Sequence, residues 1–269
     1  MNVRRPEQKP GRIITFYSYK GGVGRSFALA NIAAILAQWG ARVLCVDWDL
    51  EAPGLHHFFP ELIGKESPNG LLDLLESAKT TKPAKPRPAM RRATIKTTNR
   101  RVPLRWQDCL NTARVGATGK SVDLIVAGQD ADDYAQRVHG LNWEALYAEY
   151  GLGEFLERMR QEWTAEYDYV LLDSRTGLTD IGGVCTIHLP DIIVSVFTAN
   201  QQSMQGTEYM ARRINVQRRD FFYSSGQALI LPLLSRWEEK DAPEDAKAWL
   251  PRVLKTVRPS FNQWRDPTV

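Results

Sequence analysis

The segment at positions 17–26, YSYKGGVGRS, restricts the possible fold more than any other part of the chain. Three glycines in four positions allow its backbone to turn with positive φ and to bring N–H groups close to an anion. A β-rich strand candidate at 12–17 precedes the glycines, and a predicted helix at 26–39 would add free N–H groups and a positive dipole end. This order predicts a phosphate-binding loop, with a chance glycine turn as the alternative.

The loop differs at two positions from the Walker pattern G-x-x-x-x-G-K-[ST]. Tyr19 stands in place of the first glycine and Arg25 in place of the lysine, whereas Ser26 keeps the hydroxyl that reaches Mg²⁺. The sequence resembles the deviant Walker A motif KGGxGK[ST] of the ParA/MinD/ArsA class of P-loop ATPases, and more closely the branch that reads KGGVGR[ST]. The resemblance implies that nucleotide is bound by Lys20, Gly21, Gly22, Val23, Gly24, Arg25, Ser26 and Phe27.

An apolar run at 42–47 predicts a buried parallel strand that ends in the sequence Asp47-Trp48-Asp49. The segment 47–55, which begins with this DWD sequence, resembles the DxD switch I loop of the class. The resemblance implies that Asp49 orients the attacking water and contacts the metal, and that Asp47 supports the metal shell. Phosphoryl transfer needs a carboxylate that positions water, which makes these roles reasonable. A solvated acidic turn is the alternative for Asp49.

A second apolar strand candidate, at 169–173, ends in Asp173 and resembles the Walker B pattern. By that resemblance Asp173 holds Mg²⁺ together with Ser26, and positions 174–183 form switch II, where the Gly177 N–H senses the γ-phosphate. Arg175 and Asp180 in this loop are candidates for coupling nucleotide state to an interface, or else a solvated pair.

Further patterns complete the predicted fold. Buried strands are predicted at 121–127, 191–197 and 227–233; helices are predicted at 70–78, at 142–167 with a break near Gly151 and Gly153, and at 243–257. Positions 198–203 are predicted to form the loop after the strand at 191–197. Arg236 follows the strand at 227–233 and loosely resembles a residue of the class that contacts the adenine base of the nucleotide, so this role is assigned to it. Together these elements predict one P-loop ATPase domain over 1–269, an α/β fold with a doubly wound, mostly parallel sheet flanked by helices.

Positions 79–120 differ sharply in composition, with twelve Lys or Arg and a single acid, Asp108, in a chain whose net charge is +4. The first half of this segment contains prolines and little apolar periodicity, which predicts a mobile insertion. Clustered cations favour contact with nucleic acid or acidic proteins through counterion release, and a solvated loop without a partner is the alternative.

The three cysteines, Cys45, Cys109 and Cys185, are odd in number and far apart, which argues against a disulfide framework or a zinc site. The chain has no secretion signal pattern and no apolar run of membrane-spanning length, so a cytoplasmic location is expected. Relatives commonly add a strand and a helix after the last predicted helix, so a truncated chain and a shortened fold both remain open.

The resemblance implies an ATP-binding molecular switch that uses Mg²⁺, hydrolyses ATP slowly and forms an ATP-dependent homodimer in which Lys20 reaches the partner's phosphates. Because this branch is common in bacterial defence or signalling systems, regulation of an effector partner is expected. The alternatives are a nucleotide-binding scaffold that contacts nucleic acid through the basic insertion, and a DNA-partitioning ATPase. A tyrosine kinase of the class is disfavoured, because the tail is not rich in tyrosine.

Overall fold

The computed structural model describes residues 9–79, 104–117, 119–129, 131–177, 183–219, 221, 228–237 and 247–255. Its strands are β1 (Arg12–Tyr17), β2 (Val43–Asp47), β3 (Leu62–Ile63), β4 (Leu110–Val115), β5 (Lys120–Ile125), β6 (Tyr169–Asp173), β7 (Ile192–Thr198) and β8 (Leu229–Ser235). Its helices are α1 (Arg25–Gln38), α2 (Leu71–Ala78), α3 (Tyr134–His139), α4 (Trp143–Tyr150), α5 (Leu152–Glu166) and α6 (Gln201–Arg219). Residues 247–255 are also helical.

The strands form one eight-stranded sheet in the order β3-β4-β5-β2-β6-β1-β7-β8. From β5 to β8 every neighbouring pair is parallel, whereas β4 is antiparallel to both β3 and β5. This arrangement confirms the predicted α/β class with a mostly parallel sheet flanked by helices.

Helices cover both faces of the sheet, as the apolar character of its central strands requires. On one face, alternate side chains of β2 and β6, such as Cys45 and Leu171, pack with Leu29 and Ala33 of α1. On the other face, Leu44, Val46, Val170 and Leu172 pack with Leu156 and Trp163 of α5. The alternation therefore places the two core clusters on opposite sides of a sheet that is buried in its centre.

The register brings the three predicted phosphate-site segments to one edge. Phe16, near the end of β1, is the register partner of Asp173 at the end of β6, and Asp173 is in turn the partner of Asp47 at the end of β2. Because these strands are parallel, their carboxyl ends lie side by side, and loops that follow such strands surround ligands in open α/β sheets.

Helix α1 has a surface that the sequence pattern does not explain. Positions 26–41 contain no charged residue, yet Phe27, Ile32, Ile35 and Trp39 are exposed. Trp39 is the extreme case, with 79% of its surface accessible. This apolar, uncharged exposed face is unusual for a helix that lies on a sheet, where polar residues normally occupy the solvent side.

Two predictions about elements need correction. The basic insertion was predicted to extend to 120, but Trp106 is buried, β4 lies in the sheet, and β5 begins at Lys120. Residues 80–103, with most of the basic side chains, lie outside the described residues. The predicted loop at 198–203 ends earlier than expected, because α6 begins at Gln201.

Candidate phosphate-binding site

The glycine loop between β1 and α1 has the open geometry that an anion site requires. Gly22 and Gly24 have φ values of 71° and 85°, which favour glycine. At Gly21, Gly22 and Gly24 an added Cβ would meet no other described atom within 4 Å. Gly24 caps α1 without a side-chain hydrogen bond, so the first N–H groups of the helix have no capping side chain. Backbone N–H groups beside open space at a helix N-terminus are an arrangement that binds phosphate.

Arg25 joins two of the predicted acidic residues instead of standing alone in the lysine position. Its Nε donates to Asp173 Oδ1 at 2.5 Å, and its Nη2 donates to Asp49 Oδ2 at 2.9 Å. The arginine is 8% exposed, and both acids are buried. Its Nη1 is buried and has no hydrogen-bond partner in the described chain. The planar guanidinium can bridge two separate carboxylates because its donors form a fixed fork.

Asp173 lies at the centre of this ion-pair network. Burial raises the pKa of its carboxyl above the ordinary value, while Arg25 and a hydrogen bond with Ser26 oppose that rise. The Ser26 hydroxyl therefore contacts the residue with which it was predicted to share a metal ion.

Asp47 occupies a structural position behind the site. Its Oδ1 accepts the N–H of Asp49 at 3.1 Å, and its Oδ2 accepts the N–H groups of Gly54 and Leu55 at 3.1 and 3.0 Å. Burial and the neighbouring Asp173 raise its pKa to about 7. These three bonds fix the backbone of the predicted switch I loop. The carboxylate of Asp47 was expected to support the metal shell, but it contacts this loop instead.

Lys20, which was predicted to act across a dimer, contacts a residue of its own chain. Its Nζ donates to Gln202 Oε1 in the first turn of α6. Phe27 is 61% exposed, and its ring lies 6.1 Å from that of Phe58.

Gly177 and Arg236 lie at the same edge of the sheet. The Gly177 carbonyl accepts a hydrogen bond from the Tyr17 hydroxyl at 3.4 Å, and Gly177 itself has φ 88°. Arg236 follows β8, is exposed, and has φ 52°, a value that non-glycine residues rarely adopt. The structure thus brings the glycine loop, the predicted switch I loop and residues 174–177 of the predicted switch II to one edge, and places Arg236 after the last strand. Asp180 lies outside the described residues.

Several further contacts hold this edge together, and they involve four residues that are not among the predicted site residues: Glu51, Tyr134, Gly206 and Ser235. Ser235 Oγ donates to the Val23 carbonyl at 2.6 Å, which ties the end of β8 to the glycine loop. The Tyr134 hydroxyl donates to the Leu50 carbonyl at 2.9 Å, and Arg175 forms an ion pair with Glu51. Gly206 on α6 lies against the ring of Tyr19. The acidic Glu51 and the basic Arg175 each lie in a predicted switch, which is the one signal that could have indicated their pairing.

The metal predicted from the resemblance fits this arrangement poorly. Hard oxygen donors suit Mg²⁺, and Ser26, Asp49 and Asp173 could supply them. However, Arg25 already holds one oxygen of each carboxylate, and the second oxygen of Asp49 accepts the Ala52 N–H at 3.3 Å. With Arg25 in this position, these residues do not fit Mg²⁺.

Comparison with known sequences finds matches at the segment of the glycine loop and over longer stretches of the chain. A family model described as an AAA domain matches residues 11–54. The EpsB protein of Ralstonia nicotianae is 52% identical over 54 residues, which are 20% of this chain and 7% of EpsB. An uncharacterized ATP-binding protein of Methanocaldococcus jannaschii is 24% identical over 197 residues, which are 72% of this chain and 56% of that protein. The chain therefore spans well under two thirds of the length of either relative.

Solved structures match over most of the chain. The septum site-determining protein MinD of Pyrococcus horikoshii, complexed with Mg-ADP, matches with a TM-score of 0.57 and 18% identity over 88% of this chain and 76% of MinD. A ParA family ATPase of Chlorobium tepidum matches with a TM-score of 0.54 and 19% identity over 92% of this chain and 81% of that one. At this identity the matches show the fold. Among the described helices, none is long and apolar enough to cross a membrane.

Proposed function

Because the glycine-loop match and the fold support assignment to the ParA/MinD type of P-loop ATPases, we propose that this chain is an ATP-binding molecular switch that hydrolyses ATP slowly. The observation that carries the proposal is the open glycine loop at the N-terminus of α1. This loop has N–H groups without a capping side chain, and they face open space, since a Cβ added at its glycines would meet no described atom within 4 Å. The loop lies at the edge of the sheet where such folds bind ligands.

Within this proposal the phosphates lie on the backbone of 21–26, next to Lys20 and Arg25. Gly177 and Arg236, at the same edge, are the proposed contacts to the γ-phosphate and the base. Slow hydrolysis follows from the position of Asp49. Both oxygens of this proposed water-orienting carboxylate are already engaged, by Arg25 and by the Ala52 N–H. We expect turnover below the 1–100 s⁻¹ or so that is typical of kinases.

The regulatory part of the proposal rests on the resemblance of the KGGVGR branch. ATP would favour a homodimer in which Lys20 contacts the partner's phosphates, and hydrolysis would release it. The dimer would regulate an effector protein in a bacterial defence or signalling system. Nucleic-acid contact through the basic segment stays a prediction, because positions 80–103 lie outside the described residues.

The glycine loop can be tested with a matched pair of variants. Gly24 and Gly64 have φ values of 85° and 87°, and in both cases an added Cβ would meet no described atom within 4 Å. Gly24→Ala strains the cap of α1 and displaces the loop N–H groups, so we expect the affinity for a fluorescent ATP analogue to fall about tenfold or more. Gly64→Ala introduces the same backbone strain in a loop at the far edge of the sheet, so we expect less than about a twofold change.

The titration also has an outcome that rejects the proposal. If the unaltered protein shows no affinity for the ATP analogue with or without Mg²⁺, nucleotide binding is wrong. If both glycine variants lose the same affinity, the loss reflects general destabilisation, and the glycine loop is not the binding element.

A further inference from the structure

We propose that Arg25 supplies within the chain the positive charge that Mg²⁺ supplies at other phosphate loops, so that the glycine loop binds a nucleotide polyphosphate without a divalent cation. The inference rests on the proposed nucleotide site and concerns the cation that this site uses. It is carried by the contacts of Arg25, its unpartnered nitrogen, and the balance of charge around the loop.

Arg25 occupies the space between two acids that would otherwise face a metal ion. In phosphate loops of this type, the Walker B acid and a neighbouring carboxylate face the metal ion and the phosphates. Here one guanidinium spans the gap between these two acids, with contacts of 2.5 Å to Asp173 and 2.9 Å to Asp49. A lysine at position 25 would present a single compact ammonium and could not form the same bridge. The bridge that closes the gap between Asp49 and Asp173 therefore requires an arginine at position 25.

One nitrogen of the Arg25 guanidinium has no acceptor among the described residues. Arg25 Nη1 is buried and unpartnered in the described chain, although a buried guanidinium N–H without an acceptor is unfavourable. Arg25 directly follows Gly24, so its side chain begins beside the open N–H groups of the loop. A phosphate oxygen held by those N–H groups is an acceptor of the right charge, because guanidinium donors form strong hydrogen bonds with phosphates.

Two cations, Arg25 and Lys20, lie at this edge of the sheet and have different partners. Arg25 is paired with both acids, whereas Lys20 contacts the uncharged amide of Gln202. The positive charge of Lys20 is thus not neutralised by the acid pair and can act on phosphate. A dication placed at Asp49 and Asp173 would lie beside the guanidinium and would be repelled by it. Arg25 therefore offsets part of the charge of the acid pair that would otherwise repel a polyphosphate, and Lys20 is the cation at this edge that no described acid pairs.

The main experiment measures equilibrium affinity for a fluorescent ATP analogue in Mg²⁺ and in EDTA. We expect the affinity of the unaltered protein to differ less than about threefold between the two conditions. Arg25→Lys removes the bridge and frees the carboxylates, so its affinity should fall about tenfold or more in EDTA and recover in Mg²⁺. Arg42→Lys is the matched control, because Arg42 pairs with Asp168 at the opposite ends of β2 and β6, and it should behave like the unaltered protein.

The outcomes separate this inference from the proposed function. Strict dependence on Mg²⁺ in the unaltered protein, or binding by Arg25→Lys that EDTA does not affect, overturns the role of Arg25 and leaves the nucleotide site intact. Absence of binding in both conditions rejects the nucleotide site itself.

A measurement without variants covers the case in which Arg25→Lys does not fold. Electron paramagnetic resonance of Mn²⁺ alone, added to the unaltered protein without nucleotide, should show the signal of the free ion. Stoichiometric Mn²⁺ binding under these conditions would mean that the carboxylates are open to a metal ion, and it would overturn the inference.

Discussion

At the scale of single residues, Asp47 and Asp49 show how adjacent acids of one motif acquire different tasks. Asp47 accepts three backbone N–H groups and is fully buried, whereas Asp49 contacts Arg25 and the Ala52 N–H. The sequence spacing predicts that both acids lie near the phosphates. It does not predict which one the loop backbone uses, because that depends on how the chain turns after β2.

The raised pKa of Asp47 leads to a prediction about stability and pH. The carboxyl has an ordinary pKa of 3.8 in the unfolded chain and about 7 in the folded chain, so between these values the folded state binds more protons. The contribution of Asp47 to folding therefore falls as pH rises through this window, by an amount on the order of 2–4 kcal/mol. In urea denaturation, we expect the free energy of unfolding of the unaltered protein, minus that of Asp47→Asn, to fall by this amount between pH 4 and pH 7.5.

The comparison removes the carboxyl of Asp47 together with its repulsion of Asp173, since all other groups are common to both proteins. Asp47→Asn should be less stable at pH 4, because an amide cannot accept all three backbone N–H groups, and this difference should shrink as pH rises. If the difference between the two free energies of unfolding does not change with pH, the carboxyl of Asp47 titrates near its ordinary pKa, and the prediction is wrong.

At the scale of elements, the sequence predicts the central parallel strands within one or two residues, because each is a continuous apolar run that ends in a polar turn. The break between α4 and α5 is also predicted, because the sequence has a glycine there. Gly151 lies at this break and adopts φ 69°. The edge strand β3 and its neighbour β4 are missed. Leu62 and Ile63 in β3 are exposed, and the basic composition around β4 hides its alternation of buried and less buried residues.

Trp106 tests whether the segment before β4 belongs to the folded core. It is 3% exposed, its ring packs edge-on against Trp163 and Tyr167, and its Nε1 donates to Glu162 at 2.7 Å. Trp106→Ala should lower the free energy of unfolding by about 3–5 kcal/mol, as expected for a large buried aromatic side chain.

Trp39→Ala provides the control for this truncation. Because 79% of the Trp39 surface is exposed, the same change there should alter the free energy of unfolding by less than about 0.5 kcal/mol. Equal effects of the two substitutions in urea denaturation would show that residues 104–109 do not dock on α5 as described.

At the scale of the whole molecule, the sequence predicts the fold class and the edge of the sheet where the site forms, because the ends of parallel strands must meet there. The bridge made by Arg25 is not predictable from the motif, since the motif gives the residue types and not which oxygen each donor contacts. The dimer, which the resemblance implies, remains a proposal with a clear test.

Sizing with and without ATP tests this proposed dimer. If Lys20 contacts the phosphates of a partner subunit, it must leave Gln202, to which it now donates. Lys20→Ala should abolish an ATP-dependent dimer that the unaltered protein forms. Lys65→Ala removes an exposed lysine from the loop after β3 and should leave that dimer in place.

Light scattering coupled to size exclusion gives the mass of each species directly. An ATP-dependent dimer that persists in Lys20→Ala at the same protein concentration would show that Lys20 is not needed for the interface. A monomer under all conditions would remove the dimer from the proposal while leaving nucleotide binding untouched.

The uncharged exposed face of α1 affects how any such association responds to ionic strength. A dimer formed through Lys20 and phosphate is electrostatic, so added salt screens and weakens it. Contact between two α1 faces is driven by the burial of side chains such as Ile35 and Trp39, so sulfate or phosphate salts strengthen it. The two kinds of association would thus respond to salt in opposite directions, and a salt series would distinguish the proposed nucleotide-driven dimer from apolar self-association through α1.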